Sequence, residues 1–480
     1  MGRPHPIGGD RLNPPEPLSP QDATLLCATT PEVQLQIGAL CRFEGAPLRG
    51  DDGALRVDDL RRHVESRLEL IPRFRQRIVG VPLDLARPIW VDDEGFDLSR
   101  HVRVAEVPAP GGPAELRGFV AELLSRPIDA GHPLWDLWLL DGLDAGGPDA
   151  GDDVVVVLRV HHVVADGLSL LRAAIALLDF EPRAMPEDPR SPWSPSSVPG
   201  SLTLLGRGLT DRWRHQLSLA VDVTRGLLDP IGVVGAVRSV LGAVASPPRT
   251  APRLDLTGRV GTRRDFVWTT VQLDPIVDLA RSKGVTVNDV VLTMVARALR
   301  RSVGDVEADA LRSRPPKVLV PVGDAVGGDG GNVFSFVVAS LPVDDEDLDR
   351  TLDRIHSQMT ERKASHQSDE VPVLFSAVDV VPVPLLRRIA PGVLARQPFV
   401  NLAVTNLPGS EAPLYLLGSR LRELQPIVTG VGNIACIVGV LSYCGELGVG
   451  ITVDSDVVPD ADGLLDALVD ASRELSAESG

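Results

Sequence analysis

The stretch 154–160 (VVVVLRV) is an almost unbroken β-branched run, the pattern of a strand buried on both faces. A short segment follows it, and from Gly167 to residue 178 apolar positions return at helical spacing. Upstream, 55–70 (LRVDDLRRHVESRLEL) carries Leu and Val three and four apart, which predicts an amphipathic helix. Strand, loop and helix in alternation is α/β logic. The rhythm then stops. Six prolines stand among serines in 182–200, which predicts an irregular connector. Residues 201–245 are helical in pattern with an interruption at Pro230, and 247–264 reads as loop. Beyond Phe266 the alternation resumes. Helices are predicted over 275–283, 288–301 and 461–475, and strands over 318–321, 333–341, 400–405, 434–443 and 447–453. The pattern divides the chain into a Pro- and Gly-rich arm (1–17), an α/β half (18–182), a Pro/Arg-rich helical connector (183–265) and a second α/β half (266–480).

Composition sharpens this picture. With 480 residues the chain is too long for one ordinary domain, and a net charge of −17 argues against a protein that works by gripping nucleic-acid phosphate. Between 183 and 264 the balance reverses: twelve arginines, no lysine and six acids give +6. Cys27, Cys41, Cys436 and Cys444 have neither CxxC nor zinc spacing, which fits thiols in a reducing cytoplasm. The first twenty residues lack an apolar signal core, and no run is apolar enough to predict a spanning helix. There is no P-loop and no GxSxG elbow. Gly430-Val431-Gly432-Asn433-Ile434-Ala435 matches GxGxxA, but no βαβ unit frames it as a dinucleotide site. Gly327, Gly328, Gly330 and Gly331 read more simply as a loop.

The chemistry concentrates at His161-His162-Val163-Val164-Ala165-Asp166-Gly167, immediately after the buried strand. Neighbouring side chains in a strand diverge, so one histidine faces a given cavity and the other must be satisfied behind it. Three readings compete. A histidine at a strand end suits general-base work at neutral pH, and with no nucleophile beside it a substrate hydroxyl would attack directly. His, His and Asp are also metal ligands, although no further His or Cys cluster completes a shell. The plainest reading is a capped helix after a core strand.

With Pro133-Leu134-Trp135, Asn288-Asp289 and Asn406-Leu407-Pro408 in that order, the HHxxxDG segment resembles the bacterial wax ester synthase/diacylglycerol acyltransferase family. That family lies within the CoA-dependent acyltransferase superfamily, which includes chloramphenicol acetyltransferase and condensation domains. Residues 18–30, 90–102 and 451–460 extend the resemblance over nearly the whole chain. It implies an α/β fold of two chloramphenicol-acetyltransferase-like halves with the active-site channel between them. It also implies an enzyme that moves a long-chain acyl group from acyl-CoA to diacylglycerol. Long-chain alcohols as acceptors are the alternative, and an inactive relative that binds lipid or acyl-CoA is the second.

By the same resemblance His162 is the base, His161 supports the motif, and Asp166 and Gly167 hold the loop. Asp166 is expected to pair with a buried arginine, with Arg75 the candidate. Asn288 and Asp289 are expected to support the channel, against helix capping as the plain alternative. No cofactor beyond acyl-CoA as co-substrate, and no metal, is implied. The expected location is cytoplasmic. Arg207, Arg212, Arg214, Arg225 and Arg238 among the leucines and valines of 201–245, with Trp213, either meet a membrane or lipid inclusion or seal the seam between the halves. Two positions depart from the family's pattern: Val333, after Gly331-Asn332, and Cys444, where asparagine is usual. Both bear on substrate preference.

Overall fold

The structure is a computed structural model. It describes residues 16–144, 153–185, 193–198, 250–254, 256–322, 335–364 and 383–478, with 200, 203–204, 206 and 210 besides. The arm up to residue 15, nearly all of the helical pattern in 201–245, the glycine loop at 327–331 and Val333 lie outside the described residues.

Two six-stranded sheets organise the rest. In the first the order is β12 (Tyr415–Leu416), β13 (Ser419–Val428), β2 (Gln36–Phe43), β7 (Val154–His161), β6 (Trp135–Asp141), β5 (Val102–Glu106). In the second it is β10 (Ser335–Ser340), β9 (Lys317–Val322), β11 (Leu402–Leu407), β14 (Cys436–Tyr443), β15 (Glu446–Asp454), β8 (Arg264–Gln272). A small sheet of β1 (Glu16–Pro17), β4 (Ile89–Asp92) and β3 (Gln76–Val79) flanks the first. The valine run is β7, held between β2 and β6. Val154, Val156, Leu158 and Val160 enter one core cluster, while Val155 and Val157 enter another. Both faces are therefore buried, and the run needs no polar alternation.

The two halves of the sequence share a sheet. β13, from the C-terminal half, pairs antiparallel with β2 and completes the first sheet. It crosses β15 at such close range that a Cβ on Gly448 or Gly450 would run into the carbonyls of Leu424 and Pro426. Glycine at those two positions is what lets the sheets meet. Arg264 seals the seam further, its buried guanidinium donating to Asp454 Oδ2 at 2.9 Å and to the Glu32 carbonyl. Arg263 pairs with Asp456 at 3.2 Å on the exposed end of the β8–β15 pair, so of the two last arginines of the basic stretch it is Arg264 that reaches across the seam. Arg117, on α4 (Pro113–Ser125), reaches Asp265 and Asp462 across it.

The helices that matter below are α1 (Pro20–Ala28), α2 (Val57–Arg67), α3 (Leu98–His101) and α5 (Gly167–Ala176) in the N-terminal half. The C-terminal half adds α6 (Asp274–Lys283), α7 (Val287–Ala310), α8 (Leu348–Ala364), α9 (Val383–Leu394) and α10 (Ala461–Glu478). Cys444 and Gly445 form the two-residue turn between β14 and β15, with φ of 47° and 81°. Asparagine-glycine is the favoured pair for such a turn. The cysteine thus departs from the family at a backbone position that asks for a left-handed residue.

Candidate active site

β7 ends at His161, whose N–H donates to the Leu134 carbonyl at 2.9 Å. Pro133-Leu134-Trp135 thereby fixes the register of the strand end. Trp135 itself is packing: its ring lies between Phe74 and His101, with centroids 4.7 and 4.6 Å away, and its indole N–H donates to the Phe74 carbonyl at 2.8 Å. The backbone then turns. His162 N–H donates to the carbonyl of Leu35 at 2.8 Å, and Leu35 holds φ at 49° to present it. Val163, Val164 and Ala165 are buried and pin the turn to the core.

The two histidines play different parts. His161 is buried, and Val163 N–H donates to its Nδ1 at 3.1 Å. Its Nε2 therefore carries the proton and donates to Thr29 Oγ1 at 3.0 Å, while that hydroxyl donates to the Leu25 carbonyl. Both ring nitrogens are occupied, so His161 is locked neutral. Burial first, and the neighbouring His162 second, push its pKa down from 6.5 to about 3. His162 is half-buried. Burial lowers its pKa too, against an opposing pull from a hydrogen bond with its own backbone and a lesser one from the Asp166 charge. A neutral imidazole that a nearby carboxylate helps once it becomes charged is suited to accept a proton transiently.

Asp166 is the N-cap of α5, where its Oδ1 accepts from Ser169 N–H at 2.6 Å. The expected pairing with Arg75 is not formed. Arg75 stands with its guanidinium over the Trp193 ring, 5.0 Å from the centroid, and donates to the Glu65 carbonyl. The local Asp-Gly-Leu-Ser cap offers the carboxylate a partner three residues away, and that partner replaces the distant one. A buried arginine does stand on β7: Arg159, bidentate to Asp136 at 2.9 and 2.5 Å. It also donates to the Arg126 carbonyl at 3.0 Å, bracing the strand that carries the histidines.

Gly167 faces the C-terminal half, where a Cβ would come 3.1 Å from Leu407 Cδ1. Asn406-Leu407-Pro408 at the end of β11 and the HHxxxDG turn are thus brought together across the seam. Asn288 and Asp289 lie in the first turn of α7. Asp289 N–H donates to Thr286 Oγ1, and its own Oδ2 accepts from Thr286 N–H at 3.0 Å, a reciprocal capping pair. The same Oδ2 meets His356 Nδ1 of α8 at 2.9 Å. The capping alternative describes what Asp289 does. Thr29, Asp136 and His356 carried no spacing signal in the sequence. Among the described residues no group of three His, Cys, Asp or Glu could hold a metal, and no helix is long and apolar enough to cross a membrane.

Residues 18–291 match the model of the wax ester synthase/diacylglycerol acyltransferase catalytic domain, and 330–476 that of the C-terminal domain of the same group. A Mycobacterium tuberculosis protein named "Probable diacyglycerol O-acyltransferase tgs1" is 30% identical over 452 residues, spanning 93% of this chain and 92% of the relative. The solved wax ester synthase/diacylglycerol acyltransferase from Marinobacter aquaeolei VT8 superposes with a TM-score of 0.66 at 25% identity, over 97% of this chain and 100% of that one. The first condensation domain of the calcium-dependent antibiotic synthetase, at 15% identity, superposes with a TM-score of 0.56 over 97% of each chain, a likeness of fold alone.

Proposed function

The chain belongs to the wax ester synthase/diacylglycerol acyltransferase family, and on that premise we propose that it transfers a long-chain acyl group from acyl-CoA to the hydroxyl of diacylglycerol. The products are triacylglycerol and CoA. His162 removes the proton of the acceptor hydroxyl as its oxygen attacks the thioester carbonyl. The tetrahedral intermediate collapses with cleavage of the C–S bond, and the departing thiolate takes the proton from the His162 imidazolium. The observation that carries this assignment is the division of labour between the histidines: His161 has both nitrogens engaged, which leaves His162 as the base. The Asp166 charge favours the imidazolium between the two proton transfers. Asp166, Gly167 and His161 hold the turn that aims His162; Asn288 supports the C-terminal wall, and Asp289 caps the start of the helix that carries it.

Purified protein given labelled palmitoyl-CoA with diacylglycerol, or with hexadecanol, tests the reading. Triacylglycerol as the main product supports it. Wax ester in its place, or CoA release with neither lipid, overturns the choice of acceptor.

A further inference from the structure

Capping accounts for part of what Asp289 does, and its burial asks for more. A cap needs one side-chain oxygen beside the first turn, and Thr286 supplies it, its Oγ1 accepting from Asp289 N–H at 3.2 Å. Asp289 itself is 1% exposed, a carboxylate taken out of water. Its Oδ2 accepts from Thr286 N–H at 3.0 Å and from His356 Nδ1–H at 2.9 Å. Its Oδ1 is buried as well and finds no hydrogen-bond partner among the described residues. A carboxylate so placed is costly unless a firm partner offsets its lost hydration. The start of α7 helps, since a helix N-terminus favours an anion. The side chain that donates to it, His356, comes from another helix.

α8 holds that donor in place. Leu352, Ile355 and Met359 bury the helix in the C-terminal core. Gln358, two residues beyond His356, accepts from Ser340 N–H of β10 at 3.1 Å and donates to the Ser340 carbonyl at 3.3 Å. The imidazole is thus a peg between a platform, β10 with α8, and the first turn of α7, one residue from Asn288. α7 in turn packs against β11, and β11 ends at Leu407, against Gly167 of the HHxxxDG turn. We propose that His356 is a positioning residue for the acyl transfer. Through Asp289 it sets the first turn of α7, and with it the Asn288 side chain on the channel wall, a statement that rests on the function proposed above. Helix ends fray when water competes for their caps, and a buried, hydrogen-bonded carboxylate shuts water out. A displacement of about 1 Å in a wall that holds substrate can cost a hundredfold in rate. The contact asks for no particular charge on the ring, because Nδ1–H donates from the neutral imidazole as it does from the charged one.

The test is a double-mutant cycle on the full chain, reading CoA release from palmitoyl-CoA with diacylglycerol and, in a parallel arm, with hexadecanol. His356→Leu removes the donor to Asp289. Its kcat should fall about tenfold to a hundredfold, with KM for either substrate moved far less. His356→Asn, whose amide N–H lies at the Nδ1 place, should recover most of the lost rate. His356→Gln, whose amide lies at the Nε2 place, should not, and it replaces His356→Leu in the cycle where that protein does not fold. Asn288→Ala should itself be slow, and adding the His356 substitution should cost it less than about twofold more, since both act through one side chain. Additive losses overturn the proposal, for they would make His356 a general brace of the fold. So does a folded His356→Leu or His356→Gln protein with wild-type kcat, an Asn288→Ala protein at the wild-type rate, or a His356→Asn protein as slow as His356→Leu. A wild type that transfers no acyl group to either acceptor overturns the function proposed above, and this inference with it, before any variant is compared. An active wild type with additive variants overturns this inference alone.

Discussion

The neutral lock on His161 should make the fold sensitive to acid in a calculable way. A buried imidazole with a folded pKa of about 3 refuses the proton that the unfolded chain, at 6.5, accepts. Its contribution to stability is whole above pH 6.5 and is lost as pH falls below that value, flattening below about 3. Between neutrality and about pH 4.5 the unfolded histidine becomes almost fully protonated while the folded one does not, a loss of about 2–3 kcal/mol. The perturbation is His161→Asn, which keeps an acceptor near the Nδ1 position for Val163 N–H and removes the titrating ring. Urea unfolding of both proteins at the two pH values gives the assay. The variant should be less stable than wild type at pH 7, because the Thr29 contact is gone. It should also lose about 2–3 kcal/mol less on acidification, whatever the other carboxylates and histidines contribute to both. Equal acid losses in the two proteins would refute the claim that His161 is held neutral by burial.

Thr29→Val removes the acceptor of His161 Nε2–H and should cost about 1–3 kcal/mol by urea unfolding, with Thr29→Ser close to wild type. Asp166→Ala should cost about 1 kcal/mol through the lost cap of α5, and Asp166→Asn much less in stability; turnover should fall in both, since neither keeps the charge that favours the His162 imidazolium. Because burial lowers the His162 pKa, the acid limb of kcat/KM should lie below the ordinary histidine value of 6.5, since the base stays neutral to lower pH. Activity should survive exhaustive EDTA treatment, because His161 has no lone pair left for a metal.

Much of this was legible in the sequence wherever the signal is local. The valine run became β7 because burial on both faces asks for nothing but β-branched residues. The helix predicted over 55–70 became α2 followed by a tight turn at Leu68–Leu70, since its apolar spacing continues into the turn. Pairings across long separations were not legible. Nothing in 419–428 says that it leaves its own half to lie beside β2, a choice made by glycines at 448 and 450 that admit it. Thr29 is 132 residues from His161, and neither residue announces the other. The Arg75 expectation failed for the complementary reason: a carboxylate ahead of Gly-Leu-Ser already has a local partner, and local hydrogen bonds compete with distant ions.

The central claim is that His162 is the base of an acyl transfer to diacylglycerol, and His162→Ala tests it most directly. With palmitoyl-CoA and diacylglycerol, wild type should form triacylglycerol and release CoA in equal amounts. The variant, with an unchanged melting temperature, should be slower by about 10²–10⁴-fold. A folded His162→Ala protein that makes triacylglycerol at the wild-type rate would contradict the account.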